Sequence, residues 1–163
     1  MDPVKQASQL VEQKNIARQV HRFSRLLSQL SEHRWAQDGY PEIRNGHVQV
    51  LQHIDATGTR SSLLAQRAQV TKQTVGHLVG ELNERGYITI LPDDTDGRAQ
   101  QIILTDRGKH FLVYLSSTLT DLEAVFTQVV GKADFHQFTL TFSSLLAFVE
   151  QRHQQIEGDG PVI

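Results

Sequence analysis

Val70-Thr71-Lys72-Gln73-Thr74-Val75-Gly76-His77-Leu78-Val79-Gly80-Glu81-Leu82-Asn83-Glu84-Arg85-Gly86-Tyr87-Ile88 is the run from which the rest of the chain can be placed. Thr71 is an N-cap: its hydroxyl can accept from an orphan N–H two or three residues on. Val75, Leu78, Val79 and Leu82 share one face at helical spacing, so a helix is expected from about Thr71 to Arg85. The opposite face holds Lys72, Gln73, Gly76, His77 and Gly80 and reads as polar, without a long acidic group. Glycine inside a helix costs about 1 kcal/mol against alanine. Two glycines on the exposed side therefore suggest a partner that approaches the backbone closely. A DNA major groove fits, since it admits a helix and offers acceptors to Lys, Gln and His.

Working outward, a shorter helix precedes this one, with Ser62 as its expected cap. Arg85-Gly86 ends the second helix with a cation and a left-handed glycine. Tyr87 to Leu91 reads as a strand, Pro92-Asp93-Asp94-Thr95-Asp96-Gly97 as turn chemistry, and Arg98 to Leu104 as the return strand. Thr59-Arg60 is a candidate third, very short strand. Thr105-Asp106-Arg107-Gly108 opens another helix. Helix, turn, helix and hairpin in this order make a winged helix-turn-helix.

The runs Ser62-Leu63-Leu64-Ala65, Val70 to Val75, Leu82 to Ile88, Asp96-Gly97-Arg98-Ala99 and Leu104-Thr105-Asp106-Arg107-Gly108 resemble the MarR family of bacterial transcription regulators. The resemblance is close over residues 44–109 and holds in length and pattern over the flanking helices. The Asp-x-Arg wing followed by Leu-Thr-x-x-Gly is its more specific part; many families share the helix-turn-helix. The resemblance implies that positions 71–77 enter the major groove, with Thr71, Lys72, Gln73, Thr74, Gly76 and His77 at the interface. The family more often has arginine where this chain has His77. It also implies that Arg98 reaches the minor groove with Asp96 holding its side chain, since a narrow A·T-rich groove attracts arginine. Arg60 is a further candidate backbone contact. The bland alternatives are a solvated helix face and an ordinary surface ion pair worth little.

The flanks read as helices. Leu10, Ile16, Val20, Phe23, Leu27 and Leu30 predict one long helix over 4–35, ended by Asp38-Gly39-Tyr40-Pro41. Asn45 is the expected cap of a helix reaching about Ala56, with Gly58 at its end. Phe111, Leu115, Leu119, Leu122, Phe126 and Val129 predict a helix from Asp106 to about Val130. Gly131 breaks it, and a last helix runs to about Gln155, followed by an expected disordered tail. Five of the seven phenylalanines lie at or after Phe126, which points to an isologous homodimer through the terminal helices. The expected division is 1–40 (part of the dimerisation region), 41–105 (winged helix-turn-helix), 106–156 (C-terminal dimerisation helices) and 157–163 (tail).

Charge is weak evidence. Residues 60–109 carry seven Lys/Arg and six Asp/Glu, or +1, leaving nine against twelve, or −3, elsewhere. The absence of cysteine excludes disulfides and thiol-based sensing. No signal peptide and no membrane span is read, so a cytoplasmic protein is expected. No Walker loop, Gly-x-Ser-x-Gly, Gly-x-Gly-x-x-Gly or His-Glu-x-x-His is present, so no enzyme is expected. A calcium loop centred on Gly97 would begin at Pro92 and end at Ile103, where acids are required. The eight histidines include His33, His47, His53 and His110, and Glu150 and His153 lie one turn apart; none has tight ligand spacing, so no metal and no cofactor is expected. The family often binds aromatic acids, and Arg34, Trp35, Tyr40, Arg44, His47, His53 and Tyr114 are the candidate pocket for such an effector. The expected function is therefore a regulator, most simply a repressor, that binds a pseudo-palindromic operator in duplex DNA through recognition helices about 34 Å apart. The alternatives are a winged-helix protein-interaction module and a ligand-independent activator.

Overall fold

The computed structural model describes residues 15–93 and 99–158. The chain divides into two compact units, Met1–His110 and Phe111–Ile163. In the first, Asn15 is extended and its side chain accepts from the Ala17 N–H at 2.9 Å. That cap starts α1, Ile16–Gln37. Within the described residues the helix starts at Ile16, asparagine's short amide satisfying an orphan donor from a non-helical position. The residues expected to lead into it lie outside those described. At the other end the Asp38 N–H reaches the Arg34 carbonyl at 3.0 Å, and the chain turns at Gly39 as expected.

Helix α2, Asn45–Leu51, departs from expectation at both ends. Asn45 does not cap it. Its side-chain amide donates to Glu32 Oε1 at 2.7 Å and to the Ser28 carbonyl at 3.2 Å, both on α1. Glu32 Oε1 also accepts the Asn45 N–H at 2.8 Å, placing a carboxylate where the helix dipole favours it. The capping position falls to Arg44, whose N–H is accepted by His47 Nδ1 at 3.1 Å. The helix stops at Leu51, short of Ala56. One reason is that the Asp55 N–H is taken by Thr59 Oγ1 at 2.8 Å, so it cannot continue the helical ladder.

Strand β1, Thr59–Arg60, does pair with the hairpin. The sheet order is β1-β3-β2, all antiparallel, with β2 at Ile88–Pro92 and β3 at Gln100–Leu104. Because Arg60 is held extended against Gln101, α3 begins directly after it, over Ser61–Arg67, and Ser62 is not its cap. The turn out of α3 is closed by the Val70 N–H on the Ala65 carbonyl at 3.1 Å. It places Gln69 at φ 53°, a left-handed conformation that costs a side-chain-bearing residue about 1–2 kcal/mol. Thr71 then caps α4, Lys72–Glu84, by accepting the Thr74 N–H at 3.1 Å. Arg85 closes the helix and Gly86 follows at φ 74°, both as read from the sequence.

Helix α5, Asp106–Val130, starts against this junction. The Thr105 hydroxyl donates to the Gly86 carbonyl at 2.6 Å and accepts from the Gly108 N–H at 3.2 Å. A Cβ on Gly108 would lie 2.1 Å from the Tyr87 carbonyl oxygen, so the helix can sit on the strand only without a side chain there. This is the physical content of the Leu-Thr-x-x-Gly motif.

Tyr87 is fully buried between these elements. Its hydroxyl donates to Glu42 Oε1 at 2.7 Å, and the Arg107 guanidinium lies 4.4 Å over its ring. Arg107 also donates to Glu42 and, at 2.7 Å, to the Arg85 carbonyl at the end of α4. Around Tyr87 the apolar core takes in Ile43, Val50, Leu51, Leu64, Val75, Leu82, Ile88 and Ile102. Each such side chain contributes about 1.5–3 kcal/mol by leaving water.

The second unit continues α5 to Val130, turns at Gly131, and ends in α6, Lys132–Gly158, slightly longer than the helix expected to about Gln155. Phe111 and Leu115 are buried. Phe126 and Phe135 face each other at 6.3 Å across the turn, and Phe138 stacks on Phe142 at 5.7 Å. Most of α6 is exposed, including Phe138, Leu145 and Phe148 at 56% each.

Gly108→Ala should destabilise the protein by about 2 kcal/mol or more, read as a lower urea midpoint, because a methyl group meets backbone rather than a movable side chain. Glu42 yields a pH prediction. Burial pushes its carboxyl up, but the Tyr87 hydroxyl, a backbone hydrogen bond and the nearby Arg107 and Arg85 charges outweigh this and hold it below its ordinary 4.5. Its stabilisation is then fully present above that ordinary value and lost as pH falls through the depressed folded value. Urea midpoints measured from pH 7 to pH 3 should fall more steeply for the wild type than for Glu42→Gln, which should already be weakened at pH 7.

Candidate nucleic-acid interface

The interface rests on α4. Its lower face is anchored by the buried Val75, Val79 and Leu82, with Leu78 half-buried beside Gly46. Its outer face exposes Thr71, Lys72, Gln73, Thr74, Gly76 and His77, all six candidates on this helix. A Cβ added at Gly76 or Gly80 would meet nothing within 4 Å, so the chain itself does not require either glycine. The Thr71 and Thr74 hydroxyls lie 2.8 Å apart, which fixes the first turn of the helix.

Below this face is a charged group that the periodicity missed. Glu81 Oε2 lies 2.6 Å from His47 Nε2 and 3.1 Å from Arg85 Nη1, while Oε1 lies 3.3 Å from His77 Nε2. Contrary to the expectation from the sequence, the face is not free of long acids; Glu81 sits at its edge, 30% exposed. The spacing of His77, Glu81 and Arg85 at i, i+4 and i+8 was a legible signal for it. The hydrogen bond from His47 is the chief cause holding the Glu81 carboxyl below its ordinary range; burial opposes it and Arg85 reinforces it.

His47 is itself set by two bonds. The Arg44 N–H can only donate, so Nδ1 is the acceptor and Nε2 carries the proton given to Glu81. With 1% of its surface exposed, His47 caps α2 and braces α4.

Arg60 makes a two-point bond to Asp93, Nε to Oδ2 at 2.7 Å and Nη2 to Oδ1 at 2.8 Å, joining β1 to the base of the wing. The Asp93 N–H closes that base on the Ala99 carbonyl at 3.0 Å. Asp96 and Arg98 lie outside the described residues.

The first-unit effector candidates lie at the end of α1 and along or just after α2. Arg34, Trp35 and Tyr40 gather at the end of α1, where the Tyr40 N–H meets the Trp35 carbonyl at 2.8 Å and Arg34 pairs with Asp38 at 3.6 Å. Trp35 is buried. Arg44 is exposed and donates to the Pro41 and Ile43 carbonyls at 2.8 and 3.1 Å. His53 follows α2, its carbonyl accepting from Arg67 at 3.0 Å. Tyr114 belongs to the second unit, beside Phe111. Among the described residues no three His, Asp or Glu side chains are placed to hold a metal ion. None of their helices is long and apolar enough to cross a membrane.

Residues 43–99 match the family model described as MarR family. The transcriptional activatory protein BadR of Rhodopseudomonas palustris is 24% identical over 103 residues, 63% of this chain and 58% of that protein, so the match spans just over half of the relative's length. FabT of Streptococcus pneumoniae, solved in complex with DNA, superposes with a TM-score of 0.72 at 15% identity, covering 83% of this chain and 96% of that one. PcaV of Streptomyces coelicolor, solved with its natural ligand, gives a TM-score of 0.62 at 22% identity over 85% and 96% of the two chains. The fold is thus the one seen in these solved structures, and residues 43–99 are similar to the MarR family.

Proposed function

We propose that this protein is a DNA-binding transcription regulator that grips a pseudo-palindromic operator as a homodimer. The observation that carries this reading is the two-sidedness of α4. Its apolar face is buried, while Thr71, Lys72, Gln73, Thr74 and His77 stand exposed on the other. In the major groove Gln73 and His77 would read base edges, and Thr71, Thr74 and Lys72 would fix register on phosphates. Arg98 would enter the minor groove, with Asp96 orienting it. Arg60 would act indirectly, since its guanidinium already holds Asp93 at the wing base. The likeness to FabT, which is seen on DNA, supports this.

Dimerisation follows from exposed apolar surface. Helix α6 leaves Phe138, Leu145 and Phe148 more than half exposed, and α1 does the same with Ile16, Phe23 and Leu30. A second copy is the simplest cover. A small aromatic acid is the proposed effector. Arg34 and Arg44 offer cationic handles and Tyr40 an aromatic wall within the first unit; PcaV's complex with its natural ligand supports this. The effector would act by shifting the population of dimers whose reading heads match the operator. Repression by obstructing polymerase is the outcome we favour. The activatory role in BadR's name favours activation as a second reading, which in vitro transcription from the operator would separate.

Selection from random duplex DNA should enrich a palindrome with half-sites about 34 Å apart; no enrichment would overturn the reading. Lys72→Ala with Gln73→Ala should weaken operator binding at least tenfold without changing the unfolding midpoint, since both side chains are exposed. Affinity should also fall steeply with salt, whereas a protein-interaction module would ignore duplex DNA. In sedimentation at micromolar concentration the chain of 18.4 kDa should run at twice that mass, and Phe148→Glu should shift it to monomer. A monomeric wild type would remove the homodimer.

A further inference from the structure

We propose that His77 and Glu81 form a proton-dependent base reader on α4, so that the base preferred beneath His77 changes with pH. The inference rests on the DNA-reading role above and adds its chemistry at one position. His77 is exposed, its side chain 75% open, and a surface histidine four residues from a glutamate would ordinarily count for little. This glutamate differs because its far oxygen is already committed. His47 from α2 donates to Oε2 at 2.6 Å, and Arg85 from the end of α4 donates to the same oxygen at 3.1 Å. His47 cannot turn away, because its Nδ1 holds the Arg44 N–H and its ring is buried. The carboxylate is thereby fixed, with Oε1 presented to His77 Nε2 at 3.3 Å.

A fixed acceptor on that side selects the Nε2–H form of the neutral ring and leaves Nδ1 facing away from Glu81. In the major groove an unprotonated Nδ1 accepts, and the donors available to it are adenine N6 and cytosine N4. Protonated, the same nitrogen donates. It then prefers the guanine acceptors N7 and O6. One side chain therefore presents opposite hydrogen-bonding signs to the duplex in its neutral and protonated forms. An arginine at this position would only donate.

The test is selection of bound duplexes from a random pool at pH 5.8 and pH 8.0, followed by competition between the two best sites. The wild type should recover one palindrome at both pH values, differing at a single base pair in each half-site: adenine or cytosine at pH 8.0, guanine at pH 5.8. The preference should reverse by about fivefold. His77→Gln should keep the rest of the motif and lose the reversal. Glu81→Gln, with folding confirmed by its unfolding midpoint, should weaken the preference at pH 8.0, because an amide can face the ring with either a donor or an acceptor and no longer selects one tautomer. An identical motif at both pH values overturns the proposal, as does a reversal that survives His77→Gln. An unchanged pH 8.0 preference in Glu81→Gln overturns the part assigned to Glu81. No enriched sequence at either pH overturns the DNA-reading role and this inference with it.

Discussion

Glu81 divides two carboxylate oxygens among three partners, and the seating of α4 follows from that division. The helix must bury one face and leave the other exposed at full length. Apolar contact beneath Val75, Val79 and Leu82 supplies adhesion but little orientation, since such contact is not directional. Direction comes from the polar bonds. His47, held by the start of α2, fixes the middle of α4 through Glu81. Arg107 fixes its end, while Thr71 closes the helix's own first turn. Two such points on a rod oppose its rolling.

The same logic ties α1 to the unit. Glu32 accepts both the backbone and the side chain of Asn45, so the first turn of α2 is joined to the body of α1. At the other side Arg60 and Asp93 tie β1 to the wing base by a two-point bond in which Asp93 is largely withdrawn from water. Each of these polar connections thus has one partner at an element end, where orphan backbone donors and acceptors must be satisfied. The apolar core fills the space between them.

What could be read in advance was whatever depends on neighbours in sequence. Thr71 as a cap, Gly86 as a terminator, the β2–β3 hairpin and the span of α5 all obey local rules; Thr59-Arg60 as a third strand, which pairs with distant Ile102 and Gln101, is the exception. The misreadings share one cause. Asn45 and Ser62 are good caps by type, but Asn45 has stronger partners on α1, and Arg60 is held extended by β3 so that α3 starts next to it. His47, a candidate pocket residue, is engaged by a backbone N–H three residues away and a carboxylate 34 residues away, and the second of these is invisible to local rules. Glu81 was overlooked although its i, i+4 spacing was visible. A helix-face count treats a residue at the edge as solvated, and cannot foresee that a buried ring waits for it. The wing residues Asp96 and Arg98 rest on resemblance alone.

The bond from Arg107 to the Arg85 carbonyl has a mechanical meaning. The guanidinium sits on the first turn of α5 and is clamped from one side by the Tyr87 ring and from another by Glu42. Gly108 brings the backbone of that turn directly onto the strand, without a compressible side chain between. Such a joint has little slack: the first turn of α5 and the tail of α4 are held to each other by backbone contact and a clamped cation, so neither can shift without breaking a bond made by the other.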